Sequence, residues 1–417
     1  MDLHEHLFRH ESGRLVAALT RVFGVHNLAL AEDVVQDAFC RALDVWKVHG
    51  VPDNPGAWLM ATARNRALDV LRRQRTARVF APEVARMLEQ EWAIGPFVDE
   101  AFSLHAIRDE QLRMMFSCCH PRLPEEAQVA LVLNILCGFG AGEIAGAFLT
   151  SRAAIEKRIA RGKKVLAGSR RLFDLDGAQF SSRLSAVRRA LYLLFNEGYH
   201  GASAEAAVRV DLCQDAIRLT AWLCEYPAAA TPETLALCAL MYLHAARLPV
   251  RVDDGGELSP LLAQDRTRWD GALVAQGLAL LERSAAGTQL TAYHVEAAIA
   301  AVHASAPTPA ELDWTTIVSL YDRLMTIAPS PVVALNRAIA IGQRDGADGG
   351  LMALQAIPDA GRLDRYPFHA AALGDFEMRR GNVIDAREHF AAALSRARNA
   401  AERKFFTRKL DSVQPER

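Results

Sequence analysis

Apolar side chains recur every three or four residues along almost the whole 417-residue chain, and alternating runs of β-branched residues are nearly absent. This spacing places apolar side chains on one face of an α-helix, whereas a half-buried strand needs a period of two. Alanine and leucine, two strong helix formers, are abundant. The sequence therefore predicts an all-α protein.

The length and the cysteine content narrow the class of protein further. A chain of 417 residues exceeds one small core, and typical domain sizes predict roughly two to four domains. Seven cysteines without a CxxC pair argue against a disulfide framework and fit a reducing compartment. No apolar run reaches membrane-spanning length, and the first residues lack the apolar core of a signal peptide. We expect a cytoplasmic chain with no membrane association.

Breaks in the helical pattern divide the chain into four parts. In chain order we predict a helical domain at 1–78, a linker at 79–107, a second helical domain at 108–172 and a long alanine-rich helical region at 183–417. The first domain should contain three helices, over residues 3–22, 30–46 and 55–75. Within the alanine-rich region, the polar segment 248–260 is predicted to be a solvent-exposed loop.

The third predicted helix concentrates positive charge, although the formal net charge of the chain is -1. Residues 62–78, TARNRALDVLRRQRTAR, hold six arginines and a single acid, Asp69. Such a surface suits an anionic partner, although an ordinary solvated helix would also produce it. The apolar stripe of this helix would consist of Ala63, Ala67, Val70 and Leu71.

The preceding helix has the opposite character. In LAEDVVQDAFCRALDVW, residues 30–46, one face is apolar and the other is acidic and polar. An acidic face beside a basic helix suggests two different partners, and ion pairs such as Asp37 with Arg41 would explain part of it. We predict a buried face of Val34, Val35, Ala38, Phe39 and Leu43, and an exposed face of Glu32, Asp33, Gln36, Asp37 and Asp44.

Residues 123–166 contain helices separated by a tight turn. The first begins at Pro124, two glycines end it, and a short helix over residues 141–148 follows. Ser151 can cap the next helix by accepting a hydrogen bond from its free N–H groups. A basic helix after a tight turn is the helix-turn-helix pattern, although a solvated lysine-rich helix is the alternative. The cations would be Arg152, Lys157, Arg158, Arg161, Lys163 and Lys164, with Ile155, Ile159, Val165 and Leu166 facing the core.

These motifs resemble the domains of bacterial extracytoplasmic-function RNA polymerase sigma factors. LAEDVVQDAFCRALDVW followed by NPGAWLMATARNRALDVLRRQR is similar to the second sigma domain, and residues 123–166 are similar to the fourth. The two motifs stand in the family's order and at its separation. The resemblance implies a protein that binds core RNA polymerase and promoter DNA and catalyses no reaction itself.

The resemblance also implies which residues make these contacts. The clamp coiled coil of core polymerase would be bound by Asp33, Gln36, Asp37 and Arg41. The minus-ten promoter element would lie near Trp58, Arg64, Asn65, Arg66, Asp69, Arg72 and Arg73. The minus-thirty-five element would be read by Ser151, Arg152, Lys157, Arg158, Arg161, Lys163 and Lys164. One departure concerns the contacts of Arg152 and Ala153, because the start of this helix, residues 150–154, lacks the glycine that the family often has in that turn.

The C-terminal half continues beyond a minimal sigma factor. Its segment 373–394 fits the tetratricopeptide pattern, with small residues where two antiparallel helices would pack closely. A second partial match covers residues 319–341. Alanine-rich helices can imitate this pattern, so a plain helical bundle is the alternative. The key positions are Leu373, Gly374, Gly381, Ala386, Phe390 and Ala393 in the first match, and Tyr321, Leu324 and Pro329 in the second.

A C-terminal extension of this kind, with the segment LYLLFNEGY directly after the helix-turn-helix, is similar to that of one subgroup of these sigma factors. The resemblance implies a regulatory or docking role for the extension, with a small DGPF- or YCII-type protein or another regulator as its partner. Two other interpretations stay open from the residues. One is a helix-turn-helix regulator with a repeat-type sensor domain, which needs no polymerase-binding helix. The other is an interaction scaffold that touches phosphates nonspecifically.

No residue pattern predicts catalysis or a cofactor. Cys118, Cys119 and His120 stand together, but no second ligand pair lies at a suitable spacing, so buried thiols explain them better than a metal site. The segment NEGYHG, residues 196–201, could line a pocket, although a helix that ends at Gly198 explains it more simply. We find no nucleophile beside a base and no phosphate-binding glycine loop, so we predict neither an enzyme nor a metal centre.

Overall fold

The computed structural model describes residues 3–24, 27–73, 99, 104–147, 150–168, 177–200, 208–253 and 255–413. The chain divides into two compact units, which we call unit 1 (Met1–Leu194) and unit 2 (Phe195–Arg417). Every regular element in the described residues is helical, apart from one isolated antiparallel bridge between Val252 and Leu258. The predicted all-α class is confirmed. None of the described helices has the length and hydropathy needed to cross a bilayer.

Unit 1 begins with three long helices followed by a helix-turn-helix. Its helices are α1 (Leu3–Phe23), α2 (Leu28–His49), α3 (Pro55–Arg73), α4 (Leu104–Cys118), α5 (Glu125–Leu131), α6 (Ala141–Ala147), α7 (Arg152–Ala167) and α8 (Gly177–His200), which continues into unit 2. A π-helical turn, Val132–Leu136, extends α5. The predicted linker lies outside the described residues except for Asp99 and the start of α4.

Helix α1 occupies the centre of unit 1. All residues from Leu15 to Thr20 are buried because α2, α3, α4 and the π-helical turn surround this helix. At Gly13 the backbone of α1 comes so close to the π-helical turn that an added Cβ would lie 2.0 Å from the carbonyl oxygen of Leu136. The absence of a side chain at Gly13 therefore permits this contact between the N-terminal helices and the helix-turn-helix.

The buried stripes of α2 and α3 follow the predicted helical spacing, except that Val70 of α3 is only half-buried, Leu68 is buried and one residue of α2 is exposed. Leu43 of α2 is 51% exposed, so its predicted burial is wrong. The stripe continues instead through Ala42 and Trp46, which are both buried. Leu43 is one position away from Ala42, and one position turns the side chain by about 100° around the helix axis. The hydrophobicity of the side chains alone did not show that Ala42 is buried and Leu43 is exposed.

The helix-turn-helix forms as predicted. Gly138 has φ 70°, a backbone angle that suits glycine, in the turn between the π-helical turn and α6. The hydroxyl of Ser151 accepts a hydrogen bond of 3.2 Å from the N–H of Ala154 and so caps α7. Gly162 of α7 packs directly on the side chain of Leu131, where a Cβ would lie 2.6 Å from a methyl group. This contact holds α7 against α5.

Unit 2 contains paired and stacked helices. Its helices are α9 (Val210–Glu225), α10 (Pro232–Ala245), α11 (Gly271–Ser284), α12 (Ala292–Ser305), α13 (Trp314–Ile327), α14 (Pro331–Arg344), α15 (Ala347–Gln355), α16 (Pro367–Arg379), α17 (Val383–Ser395) and α18 (Ala400–Asp411). Each helix from α9 to α18 contacts the next helix in the chain. Single-turn 3₁₀ helices lie between several of them.

The helix pair predicted for residues 373–394 is present as α16 and α17. Gly374 approaches the ring of Phe390 so closely that a Cβ would lie 2.8 Å from it. Gly381 has φ 83° in the turn, and Ala386, Phe390 and Ala393 are buried. Small residues at the contact thus allow the two antiparallel helices to pack closely, as expected. A repeat stack and a plain bundle both contain such a pair, so the tetratricopeptide interpretation stays a prediction.

Two segments of unit 2 differ from expectation. Helix α8 does not end at Gly198 but continues to His200, and Tyr199 is only 1% exposed. Gly198 is buried against the backbone at the start of α9, since an added Cβ would lie 2.8 Å from the carbonyl oxygen of Arg209. The predicted loop 248–260 is not wholly exposed, since Val250 and Leu258 are buried. Both segments take part in tertiary packing, which local sequence patterns do not report.

Candidate nucleic-acid and polymerase interface

A groove of about 570 Å³ lies between α2 and α3. It collects residues of two predicted sets on one surface of unit 1. The lining residues are Asp37, Ala38, Cys40, Arg41, Asp44, Trp58, Ala61, Thr62, Asn65, Arg66 and Asp69. Two of the four predicted polymerase-binding residues and four of the seven predicted minus-ten residues are among them.

The four predicted polymerase-binding residues occupy the outer face of α2. Asp33, Gln36, Asp37 and Arg41 are exposed, while Val34, Val35, Ala38 and Phe39 are buried beneath them. Positions separated by three, four and eight residues share one side of a helix. The outer face of α2 is therefore polar, mixed in charge and open to solvent.

An ion pair joins this face to α3. Two guanidinium nitrogens of Arg66 lie 2.9 and 2.8 Å from the same carboxylate oxygen of Asp37. Arg66, and not the Arg41 considered from the sequence, is thus the partner of Asp37. The two side chains are 39% and 54% exposed, so their attraction contributes at most about 1 kcal/mol to stability. The pair orients both side chains along the groove without holding the fold together.

The other minus-ten residues of α3 differ in their surroundings. Asn65 and Asp69 are exposed, and Trp58 is half-buried with its ring centroid 5.5 Å from that of Trp46. Arg64 donates from Nε to the carboxylate of Asp99, and this hydrogen bond raises the pKa of the guanidinium. Arg72 and Arg73 belong to α3, but their side chains lie outside the described part of the chain, as do Arg75 and Arg78.

Helix α7 presents most of its predicted cations to solvent. Lys157, Arg161 and Lys164 are exposed and form no ion pair with other described residues, whereas Ile155 and Ile159 are buried. Arg152 pairs with Glu156 at 2.8 Å on the exposed first turn. Arg158 and Val165 are half-buried, Leu166 is buried and Ser151 is the cap. The exposed side of α7 therefore carries a net positive charge.

Lys163 is directed differently from the other cations. Its Nζ lies 2.5 Å from a carboxylate oxygen of Glu32 on α2, and both side chains are about three-tenths exposed. The pair joins residues 131 positions apart in the chain. Glu32, which was expected on the open face of α2, is therefore engaged with α7. No local sequence pattern could have indicated this contact.

The adjacent cysteines at the end of α4 are buried thiols. Cys118 and Cys119 are each 1% exposed. Burial raises the pKa of Cys118 to about 12 and that of Cys119 well above its ordinary value. Burial, followed by the charge of Arg183, lowers the pKa of His120. Both thiols are protonated at neutral pH, and within the described residues no group of three potential metal ligands is found.

Comparisons with known proteins match both regions of unit 1. Residues 7–77 match the family Sigma-70 region 2, and residues 113–166 match Sigma-70, region 4. Residues 183–285 match a family of unknown function, DUF6596. The first two matches cover α1 to α3 and α4 to α7, the helices that carry the three sets of site residues. Sigma-70 regions 2 and 4 in this order define the chain as an RNA polymerase sigma factor.

The chain belongs to the same family as a protein of Rhizobium meliloti (strain 1021) called "Uncharacterized protein R00370". The two are 36% identical over 405 residues, which span 96% of this chain and 93% of that protein. The similarity therefore includes unit 2 as well as the sigma regions. No solved structure matches the chain.

Proposed function

We propose that the protein is an extracytoplasmic-function sigma factor that binds the clamp of core RNA polymerase through α2 and promoter DNA through α3 and α7. The observation that carries this proposal is the groove between α2 and α3, where Asp37 and Arg41 meet Trp58, Asn65 and Arg66. A polymerase-facing helix and a DNA-facing helix must adjoin where the duplex opens. The protein gives promoter specificity to the polymerase and acts in the cytoplasm.

The polymerase contact uses the outer face of α2. Asp33, Gln36 and Asp37 offer carboxylate and amide groups on one exposed side, and Arg41 adds a cation. Polar and charged side chains of this kind set register and orientation in a protein interface. A partner helix with complementary charge fits such a surface better than DNA, because Asp33 and Asp37 would repel phosphates.

The promoter contacts divide between two helices. Near the minus-ten element, the arginines of α3 would hold backbone phosphates, while Trp58 and Asn65 accept unstacked bases. Near the minus-thirty-five element, α7 would enter the major groove of duplex DNA with its first turn toward the base edges. Lys157, Arg161 and Lys164 are exposed and available for phosphates. Ser151 fixes the start of α7 and so the position of Arg152.

The first test measures transcription and polymerase binding in vitro. The full chain mixed with core polymerase should initiate RNA synthesis from members of a promoter library. The double variant Asp33→Ala, Gln36→Ala should bind core polymerase at least about tenfold more weakly, since two interface contacts of about 1 kcal/mol each are removed. Both side chains are exposed, so the variant should remain folded.

Glu126→Ala provides the matched control, because Glu126 is an equally exposed acid on α5, away from α2. This variant should bind polymerase like the unmodified chain. If the unmodified chain neither binds core polymerase nor initiates from any library member, the proposal is wrong. Promoter binding without polymerase binding would instead favour a helix-turn-helix regulator, and sequence-independent DNA binding alone would favour a scaffold.

Unit 2 regulates promoter output in this proposal. The similarity to the Rhizobium meliloti protein extends across unit 2, which supports a role for the whole extension. Regulation could involve a small DGPF- or YCII-type protein, as the resemblance implies. Paired helices with close contacts, such as α16 and α17, offer surfaces for such a partner.

A second test compares the full chain with a chain that ends after His200. The cut follows α8 because its residues Arg183 and Phe180 complete unit 1: the guanidinium of Arg183 donates to the carbonyl of Phe116 at 3.2 Å, and Phe180 stacks on the Phe116 ring. Transcription from one promoter should change at least about fivefold, the lower end of typical coupling between sites. Circular dichroism checks that unit 1 remains helical. Equal output from both folded chains would contradict regulation by unit 2.

A further inference from the structure

Unit 2 contains a cavity of about 790 Å³ that the sigma regions do not account for. It is lined by side chains from α12, α13, α14, α16 and α18 and by the segment 258–263. Most of the wall is apolar or aromatic, including Trp314, Ile339, Tyr366 and Phe368. Cavities of this size and composition are typical of small-molecule sites.

One end of the cavity is rich in positive charge. Arg251 and His303 line this end, and Arg247 and Arg266 lie beside them. The guanidinium of Arg251 donates to the carbonyl oxygen of Tyr199 at 3.1 Å and lies 4.5 Å from the centroid of its ring. The Nε of Arg251 is buried without a hydrogen-bond partner. Arg251 therefore has a donor left over beside the cavity.

The two neighbouring arginines are also without an anion. Arg247 is 7% exposed, and its Nε donates to the side-chain oxygen of Gln264 at 3.1 Å. Arg266 donates from Nη1 to the carbonyls of His303 and Ala306, while its Nε and Nη2 are buried without partners. Across the described part of unit 2, no carboxylate pairs with any of the three arginines, whereas other arginines such as Arg398 do pair with acids.

Burial and the nearby positive charge of these arginines also affect two histidines, His303 and His244. Burial first, and then the charges of Arg247 and Arg266, lower the pKa of His303 to about 4. Burial and the charges of Arg247 and Arg251 lower the pKa of His244 to about 3. Both imidazoles are neutral at pH 7 and add no further positive charge. The Nδ1 of His303 is buried without a partner, so it adds a polar group at this end.

Arg247 is buried and Arg251 and Arg266 are half-buried, and such cations are unfavourable without an opposite charge, because desolvation is not offset by an ion pair. An anion beside Arg251 would supply that opposite charge and accept a hydrogen bond from the unused Nε donor of Arg251. The other cations of the cavity wall are in different surroundings: Lys409 is paired with Asp375 at 2.6 Å, and Arg379 is exposed to solvent. An occupant with one anionic head and an apolar body matches this distribution.

We infer that this cavity binds a small organic anion, with its carboxylate or phosphate head beside Arg251 and its apolar body against Trp314, Tyr366 and Phe368. The inference is independent of promoter recognition. The volume of about 790 Å³, lined mainly by apolar and aromatic side chains, lies in the range of small-molecule sites, and we assign it to a small molecule.

Isothermal titration of the full chain with four twelve-carbon probes tests the inference. The probes are dodecanoate, dodecyl phosphate, dodecanol and dodecyltrimethylammonium, with the three charged probes below their micelle concentrations and dodecanol below its solubility limit. At least one of the two anions should bind about tenfold more tightly than dodecanol, and the cation should bind most weakly. The comparison of dodecanoate with dodecyl phosphate distinguishes the two kinds of head group.

Variants locate the two parts of the site. Arg251→Gln should weaken anion binding about tenfold and leave dodecanol binding unchanged. Arg323→Gln is the control, because Arg323 is exposed on α13, the helix that carries Trp314. Ile339→Trp should fill the apolar part and abolish binding of every probe. Circular dichroism checks that each variant is folded. If Arg251→Gln does not fold, Ile339→Trp still tests whether the probes bind in this cavity.

Several results would overturn the inference. Equal binding of dodecanol and both anions would show that the cavity does not recognise an anionic head group. Tighter binding of the cation than of the anions would show the opposite charge preference. No binding of any probe would contradict a small-molecule site. Binding of peptides with a free terminal carboxylate but of none of the four probes would assign the cavity to a peptide instead.

Discussion

Replacement of Gly13 by alanine should lower the free energy of unfolding of unit 1 by about 3 kcal/mol. The added methyl group would lie 2.0 Å from the carbonyl oxygen of Leu136, and a backbone atom cannot move aside as a flexible side chain can. Alanine favours a helix over glycine by about 1 kcal/mol, so the steric cost must exceed this gain. Hydrogen exchange of α1 in the full chain, measured at increasing urea, gives the change.

Gly142→Ala is the matched control for this substitution. Gly142 is also helical and belongs to unit 1, but an added Cβ would meet nothing within 4 Å. The same chemical change should therefore leave stability unchanged or raise it by up to about 1 kcal/mol. If α1 is equally protected from hydrogen exchange in the Gly13→Ala and Gly142→Ala variants, α1 and the π-helical turn are not packed as described.

Truncation of Phe390 to alanine should destabilise the α16–α17 pair by about 3 to 5 kcal/mol. The ring is 1% exposed and fills the space that Gly374 leaves between the two helices. Its loss removes apolar contacts and leaves a cavity that the helices can only partly close. Hydrogen exchange of residues in α16 and α17 measures the effect in the full chain.

The same helix provides the comparison for Phe390. Ile384 is also apolar but 74% exposed, so Ile384→Ala should change the free energy of unfolding by less than about 0.5 kcal/mol. Equal effects of the two truncations would show that Phe390 does not form the contact between α16 and α17. A loss of protection in α16 and α17 after Phe390→Ala alone would support the close pairing.

Local patterns in the sequence predicted most of the helices and many of their buried faces. The three N-terminal helices lie within a few residues of their expected bounds, and Ser151 caps α7 as its position before a helical pattern indicated. These features depend on neighbours three or four residues away. Leu43 shows where this information ends, because periodicity alone did not place it outside the stripe through Ala42 and Trp46.

Contacts between distant segments could not be predicted in the same way. The pairing of Lys163 with Glu32 and the approach of Gly13 to Leu136 depend on how whole helices pack. The charged end of the cavity likewise gathers Arg247, Arg251, Arg266 and His303 from separate elements. The sequence indicated that residues 196–201 could line a pocket, and His200 does line the cavity. The sequence did not identify the arginines as part of a cavity, because each of them alone resembles an ordinary surface cation.

The ion pair between Lys163 and Glu32 connects α7 with α2, the two helices to which the proposed function assigns different partners. If a DNA phosphate takes the ammonium group of Lys163, the carboxylate of Glu32 loses its partner and returns to solvent. Helix α2 then carries at Glu32 a negative charge without a paired cation, close to Asp33. In the proposed function, binding of DNA by α7 would in this way change the electrostatic potential of the α2 face that contacts the polymerase. A single exchange of anions could thus pass information between the two surfaces without any movement of the backbone.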